Sequence, residues 1–343
     1  MAEGLDVKQA HVIAQWPHDR PLVSCRFDPL DRFVFAGSED NTVQRFALAD
    51  GKRTPLAAHD SWVRGIAFSK DGAVTITGGY DGRLVWWPTD AEAPSPQRTV
   101  DAHRGWIRSM VVSPDGALLA TAGNDFAVRL WNLADGSLVR EFPGHERPVY
   151  GVAFHPSGEF LISGDLVGVV KQWRVATGEL VRAFDAKALH TYEGGQQVDF
   201  GGVRTLVVSP DAKYLAAGGL YKATNPLGAV HEPLVLLWEW ESQTLVQSLI
   251  AEGVTGGVIW RSVFLADLTL MGACGGSTGG FLFFWKPDNA KDFHRFGLPA
   301  LARDMDLHPD GLRVATAHYD NHVRITRLAA DPAPPSPEPA AAS

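Results

Sequence analysis

The chain has 343 residues, of which 45% are hydrophobic and 20% charged, the balance of a globular protein. Its formal net charge of −8 argues against bulk affinity for nucleic acid or anionic membranes, which select basic protein surfaces. The N-terminal stretch MAEGLDVKQAHVIAQW lacks an apolar run of signal-peptide length, and no segment has the length and hydropathy of a transmembrane helix, so we expect a soluble cytoplasmic protein.

A turn sequence recurs along the chain, and short apolar runs lie on both sides of each copy. Successive turns are 41, 44, 42, 54, 56 and 43 residues apart. A period of 40–45 residues with four short strands per unit is typical of a β-propeller blade, so the sequence predicts seven blades. The variants are DPLD at Asp28, SKDG at Ser69, SPDG at Ser113, HPSG at His155, SPDA at Ser209, LADL at Leu265 and HPDG at His308.

The second and third units carry the same four residue types at the same offsets: His to Asp 22, Thr to Asp 4 and Asp to Trp 6. These residues are His59, Thr77, Asp81 and Trp87 in the second unit and His103, Thr121, Asp125 and Trp131 in the third. With this pattern the chain resembles the WD-repeat β-propeller family over roughly residues 7–330. The resemblance implies that each complete set is hydrogen-bonded within its blade.

The resemblance also implies an all-β fold, a single propeller in residues 1–330 with seven four-stranded antiparallel blades. A strand from Gln9 to Gln15 is expected to close the last blade, and the Pro/Ala-rich residues 331–343 to form a disordered tail. An excess of Arg over Lys, 22 to 9, favours a bacterial source. The approximate blades are 18–58, 59–102, 103–144, 145–185, 199–250, 256–296 and 298–328 with 9–15.

The remaining blades match the set only in part. Blades five and six keep the Trp alone, at Trp238 and Trp285. Blade one keeps His18 and Asp40, blade four keeps His145, Ser163 and Trp173 with Val167 in the place of the Asp, and blade seven keeps Thr316 and Asp320.

A His, a hydroxyl and an Asp also invite comparison with a hydrolase triad. Repetition at the same place in successive blades argues against that interpretation, because an active site is needed once. The sequence therefore predicts structural sets, no catalytic residues and no enzyme.

A second column of residues lies five positions after the family His, at the start of each first strand. By resemblance this position is on the rim of the central channel, where arginines could attract an anion. Its members are Val23, Arg64, Arg108, Tyr150, Arg204, Arg261 and Arg303. Aromatic residues lie close to it in sequence, namely Trp62, Trp106, Tyr80, Tyr319 and Trp260. Except for Val23 and Trp260, we assign both groups to partner binding, with a protein or peptide, most simply an acidic segment, as the ligand.

Other interpretations of the rim stay open. The arginines could instead bind loop carbonyls or pair with Glu39, Asp199 and Asp304, and the tryptophans could only cover blade ends. The same arginines could hold a small anion or the substrate of a propeller enzyme, with Asp199, Asp304 and His190 as the available bases. Single-stranded nucleic acid is a third possibility, which the acidic total charge disfavours.

Two insertions enlarge the region of blade five, at residues 185–201 and 220–233. Long loops on a rigid scaffold often carry function, and we expect both on the face of the arginine column. The two cysteines, Cys25 and Cys274, are expected to be buried and reduced, and the histidines show no ligand spacing. The sequence thus predicts no metal, no cofactor, no membrane contact and a monomer.

Overall fold

The computed structural model describes residues 4–224, 231–277 and 279–331. These residues form seven four-stranded antiparallel sheets, and the first strand of each sheet contacts the first strands of its two neighbours around a central channel. The prediction of an all-β, seven-bladed propeller is confirmed. Within the described ranges, no helix is long and apolar enough to cross a membrane.

The four strands of each blade run outward from the channel. In blades one to seven the first strands are Leu22–Phe27, Val63–Phe68, Ile107–Val112, Val149–Phe154, Thr205–Val208, Val258–Phe264 and Ala302–Leu307. The second strands are Phe33–Ser38, Val74–Gly79, Leu118–Gly123, Phe160–Asp165, Tyr214–Tyr221, Leu270–Gly276 and Arg313–His318. The third strands are Thr42–Ala47, Arg83–Pro88, Val128–Asn132, Val169–Arg174, Glu232–Glu239, Gly279–Trp285 and His322–Arg327. The outer strands are Arg53–Ala57, Arg98–Asp101, Leu138–Phe142, Leu180–Asp185, Leu245–Ile250, His294–Leu298 and, for blade seven, His11–Pro17.

The N-terminal strand closes the ring. His11–Pro17 pairs antiparallel with His322–Arg327, the third strand of blade seven, two residues further along than the predicted Gln9–Gln15. A 3₁₀ turn at Val7–Gln9 precedes it, and the Val7 side chain packs in the cluster between blades six and seven. Joining strands from the two ends of the fold leaves blade seven without an exposed third-strand edge.

The core is divided among the gaps between blades. Each gap is filled by its own apolar cluster, such as Trp86, Met110 and Leu119 between blades two and three. Because every inner strand is covered on both faces, its residues are buried almost continuously, as in Phe33–Ser38. The close approach needs glycine at some positions: a Cβ on Gly37 would lie 1.9 Å from the carbonyl oxygen of Val63 in the next blade.

The recurring turn sequence has a local physical basis. In blade three the Ser113 hydroxyl accepts the Leu118 N–H at 2.9 Å and donates to Asp115, while Gly116 adopts a φ of 83°. Such a turn joins the first and second strands with its polar groups satisfied.

The insertions around blade five form more regular structure than the predicted loops. Residues 185–201 contain a 3₁₀ turn at Lys187–Leu189 and a hairpin of His190–Glu193 with Val198–Gly201. In the second insertion the strands Tyr214–Tyr221 and Glu232–Glu239 extend past the usual blade length, and residues 225–230 lie outside the described residues. The hairpin and the extended strand meet in one apolar cluster of Phe200, Leu220, Ala223, Val258 and Trp260.

Candidate functional site

One end of the channel opens into a cavity of about 330 Å³, which we call the mouth cavity. Arginine and aromatic side chains dominate its wall. The lining residues are Val23, Ser61, Trp62, Arg64, Tyr80, Trp106, Arg108, Tyr150, Arg204, Trp260 and Arg303. The cluster that joins the two insertions borders it through Trp260, so both insertions lie at the predicted face.

A repeated β-bulge supplies one lining residue from each of six blades, and blade five supplies Arg204 from the matching position. In blade two the pairing passes from Val63 directly to Gly65, so Arg64 is left unpaired, and the same shift occurs in five other first strands. In blade five Arg204 directly precedes the first paired residue, Thr205, and donates its backbone N–H to Gly218. The residues at this bulge position are Val23, Arg64, Arg108, Tyr150, Arg204, Trp260 and Arg303.

Arg108 is held between aromatic rings. Its guanidinium carbon lies 4.4 Å from the ring centroid of Trp106, 4.6 Å from that of Tyr150 and 5.3 Å from that of Tyr80. Its Nε donates to the Asn124 side-chain oxygen at 2.8 Å. Stacking fixes the guanidinium plane and leaves donors at its edge for another acceptor.

Arg204 has the fewest polar contacts of the mouth arginines. Its guanidinium carbon lies 4.4 Å from the Tyr150 centroid and 5.8 Å from the Trp260 centroid. Within residues 4–224, 231–277 and 279–331, its buried Nε has no hydrogen-bond partner. Burial lowers the pKa of Arg204 to about 10, so the side chain is still a cation at neutral pH.

Arg64 and Arg303 are engaged within the protein. Arg64 donates to the Val23 carbonyl at 2.8 Å, and Arg303 pairs with Glu39. Arg303 thus makes the expected contact with Glu39, whereas Arg64 binds a carbonyl of the strand Leu22–Phe27 and not of a loop. The other two proposed acids have other partners: Asp199 binds His190 at 2.8 Å and Asp304 binds Arg26 at 2.8 Å.

The exposed aromatic residues form a stack at the rim. Tyr80 and Trp106 lie parallel with centroids 4.4 Å apart, and Trp62 follows at 6.2 Å from Tyr80. Trp62 and Trp106 keep 38% and 42% of their surface exposed. Tyr319 is more exposed and contacts Arg303, but it lies outside the lining of the mouth cavity.

The polar set lies inside each blade. In blade three His103 Nδ1 faces Asp125 at 2.8 Å, His103 Nε2 faces the Thr121 hydroxyl at 2.8 Å, and Trp131 Nε1 donates to that hydroxyl at 2.9 Å. Burial raises the pKa of Asp125, but hydrogen bonds from His103 and Arg129 outweigh it and hold the pKa well below its usual range.

Blade two repeats this arrangement. His59 Nε2 lies 2.8 Å from the Thr77 hydroxyl, Trp87 Nε1 donates to that hydroxyl at 2.9 Å, and His59 Nδ1 faces Asp81 at 3.0 Å. Both histidine side chains are almost fully buried, at 1% exposure for His59 and 0% for His103. The two imidazole rings are therefore enclosed by their blades.

The comparisons agree with this geometry. Residues 11–45, 52–88, 94–132 and 136–174 match the family model of the WD domain, G-beta repeat. Four stretches of the chain are therefore WD repeats, within a seven-bladed β-propeller. Such propellers are typically scaffolds for protein interaction and are generally not catalytic. No curated protein matches the chain.

Blade four of this WD-repeat propeller corrects one sequence assignment. The acid that faces His145 is Asp165, at 2.9 Å, and not the position of Val167. Ser163 and Trp173 complete the set, with Trp173 Nε1 donating to the Ser163 hydroxyl at 2.8 Å. Asp165 ends the second strand and also accepts the N–H of Val167, so an acid two residues earlier reaches the same imidazole.

Blade seven replaces the missing histidine from within its own strand. His318 Nε2 lies 2.7 Å from the Thr316 hydroxyl, and His318 Nδ1 lies 2.9 Å from the Ala300 carbonyl. In blade three the same position is Gly123, where a Cβ would come within 2.6 Å of the His103 ring. Because no histidine ring enters blade seven from the loop before its first strand, its second strand has room for the His318 ring. The signal in the sequence was histidine at a position where the complete blades have glycine.

Blade six corrects the arginine column by one residue. The bulge lies between Ile259 and Arg261, so Trp260 takes the position that sequence spacing assigned to Arg261. Hydrogen bonds to the next blade agree, since the Ser262 N–H binds Thr205 as Val152 N–H binds Ser109. Arg261 does not line the mouth cavity and lies deeper in the channel. Without a family His in this blade, the sequence had no anchor for the register.

Proposed function

We propose that this WD-repeat propeller is a non-enzymatic scaffold that binds an acidic segment of a protein partner in the mouth cavity. The observation that carries the proposal is the wall of that cavity, which brings four arginines and five aromatic residues together at the end of the channel. Around these four cations the described residues place one paired acid, Glu39, although the whole chain has a net charge of −8. Because the protein as a whole is acidic, this cluster of cations directs anionic partners to the mouth cavity and not to the rest of the surface.

The stacked side chains suit protein recognition. Tryptophan, tyrosine and arginine supply large contact areas at binding hot spots, and stacking fixes their rotamers before the partner arrives. Arg108 illustrates this, because its guanidinium plane is set by Trp106 and Tyr150 while part of its edge has no acceptor among the described residues. An acidic side chain could form a charge-assisted hydrogen bond there with little loss of conformational entropy.

The insertion next to the cavity would add selectivity. The hairpin of His190–Glu193 and Val198–Gly201 packs Phe200 beside Trp260 and holds Tyr192 at 56% exposure. A partner segment leaving the mouth cavity on this side would contact the hairpin before it reached the outer strands. The hairpin is thus the place where contacts beyond the acidic group would be made.

The test uses a matched pair of labelled peptides, one with alternating Glu and Phe and one with Gln in place of each Glu. Fluorescence anisotropy at low salt should show binding of the acidic peptide, weakening as salt is added. Arg108→Gln should reduce the affinity about tenfold, because charge-assisted hydrogen bonds contribute about 1.5–3 kcal/mol.

Arg182→Gln is the matched control for this experiment. Arg182 also stacks on two aromatic rings, Phe184 and Trp240, and donates to a side-chain amide, that of Gln172, but it lies on an outer strand away from the cavity. Its loss should leave peptide affinity unchanged. Equal binding of the Glu and Gln peptides, or equal loss in both variants, would refute the proposal.

A further inference from the structure

Below the mouth cavity the channel narrows to a space of about 20 Å³, which we call the neck. The neck shares Trp260 and three arginines with the mouth cavity, so the two spaces are continuous. Among the described residues a single carboxylate lines it, against five guanidinium groups. These charged residues are Arg26, Arg64, Arg108, Arg204, Arg261 and Asp304.

The one carboxylate in the neck is already engaged. Asp304 accepts a hydrogen bond from Arg26 at 2.8 Å and another from the Cys25 N–H at 3.1 Å. The nearby Asp306 accepts the Phe27 N–H at 2.9 Å and lies 4.0 Å from Arg26. Arg26 is therefore the compensated cation of the neck.

Neither Arg204 nor Arg261 forms a salt bridge among the described residues, although Asp304 and Asp306 raise the pKa of Arg261 from a distance. In the described part of the chain the Arg204 Nε is buried without a partner, and Arg261 lines the neck. Burial lowers the pKa of each to about 10, and for Arg261 the nearby Arg26 contributes in the same direction. Both side chains are partly buried and line the channel, and five guanidinium groups around one paired carboxylate, with the Arg204 Nε unpartnered, favour an added anion.

We propose that the neck seats one oxygen of a carboxylate, held by Arg108, Arg204 and Arg261, while the rest of the ligand lies against the aromatic wall of the mouth cavity. This assignment rests on the proposed function and specifies its ligand: an acidic side chain or chain terminus with an aromatic or apolar neighbour. A water-sized group needs about 10–15 Å³, so the neck admits one oxygen atom and little more. A planar carboxylate can place one oxygen in the neck and keep the other in the mouth cavity. A tetrahedral phosphate is bulkier and fits this narrow space less well.

The experiment uses small probes that carry the two parts of this ligand. Phenylacetate, phenylacetamide and phenyl phosphate are titrated against the whole protein, with the fluorescence of the cavity tryptophans as the readout. Phenylacetate should bind at least about tenfold more tightly than the uncharged amide, because the amide leaves the guanidinium groups without a counter-charge. It should also raise the melting temperature of the unmodified protein, a measurement that needs no variant.

Two variants separate the neck from the mouth. Arg261 lines the neck but not the mouth cavity, whereas Arg303 lines the mouth cavity but not the neck. Arg261→Gln should weaken phenylacetate about tenfold and Arg303→Gln less than about threefold. Tighter binding of phenyl phosphate than of phenylacetate, or an equal loss in the two variants, would overturn the carboxylate seat.

The outcomes also distinguish this inference from the proposed function. If the Glu peptide binds the unmodified protein and Arg261→Gln equally well, the neck assignment is wrong and the acidic-segment scaffold stands. If phenylacetate binds through Arg261 but neither peptide binds, the neck is a carboxylate site and the peptide scaffold is wrong.

Discussion

Thr121 connects three elements of blade three, and its replacement by valine should test how much the internal set stabilises the fold. The side chain is fully buried, and its hydroxyl accepts from Trp131 at 2.9 Å and contacts His103 Nε2 at 2.8 Å. In either tautomer of His103, its Nε2 and the Thr121 hydroxyl share one hydrogen bond. Valine keeps the shape but leaves the indole N–H and the imidazole nitrogen buried without partners. Each such group costs about 1–3 kcal/mol, so Thr121→Val should lower the free energy of unfolding by roughly 2–6 kcal/mol.

Thr326 provides the matched control. It is also a fully buried strand threonine, but its hydroxyl has no hydrogen-bond partner among the described residues. Thr326→Val should therefore change the free energy of unfolding by less than about 1 kcal/mol, or stabilise the protein. Urea unfolding followed by tryptophan fluorescence and circular dichroism would measure both. If Thr121→Val costs no more than Thr326→Val, the hydrogen-bonded set does not contribute as the geometry implies.

Two further variants test blade contact and pH dependence. Gly37→Ala should destabilise the protein by about 1–3 kcal/mol, because its Cβ would meet the Val63 carbonyl at 1.9 Å. Gly297→Ala should be nearly neutral, because its Cβ would have nothing within 4 Å. Similar melting temperatures for the two variants would contradict the tight gap between blades. Hydrogen bonds hold the pKa of Asp125 below its unfolded value, so its stabilisation is present at neutral pH and is lost as the pH falls below about 4. Asp125→Asn should have a lower free energy of unfolding at neutral pH and should lose less of it between pH 4 and pH 2, as measured by urea titrations. A pH dependence as steep as that of the unmodified protein would refute this role.

Local sequence was most informative where a residue type has one physical use. The recurring turn sequence and its variants marked the first hairpins, and in blade three the Ser113 hydroxyl and Gly116 satisfy the turn by themselves. The spacing of His103, Thr121 and Asp125 predicted which side chains would meet, since strand alternation and tight turns allow few other pairings. Where the pattern was incomplete, assignments failed by one or two residues, at Asp165 in blade four and Trp260 in blade six.

The sequence by itself determined the class of fold, the number of blades and the closing strand, because period, turn chemistry and apolar runs are local properties that repeat. The tertiary structure decided what the channel contains. Which of the arginines share a cavity depends on bulge register in each blade, and in blade six that register accompanies a hydrogen bond from the Ser262 N–H to Thr205 of the neighbouring blade. The neck joins Arg26, Arg204 and Arg261 from three blades far apart in sequence. No spacing along the chain encodes that meeting, since it follows from ring closure.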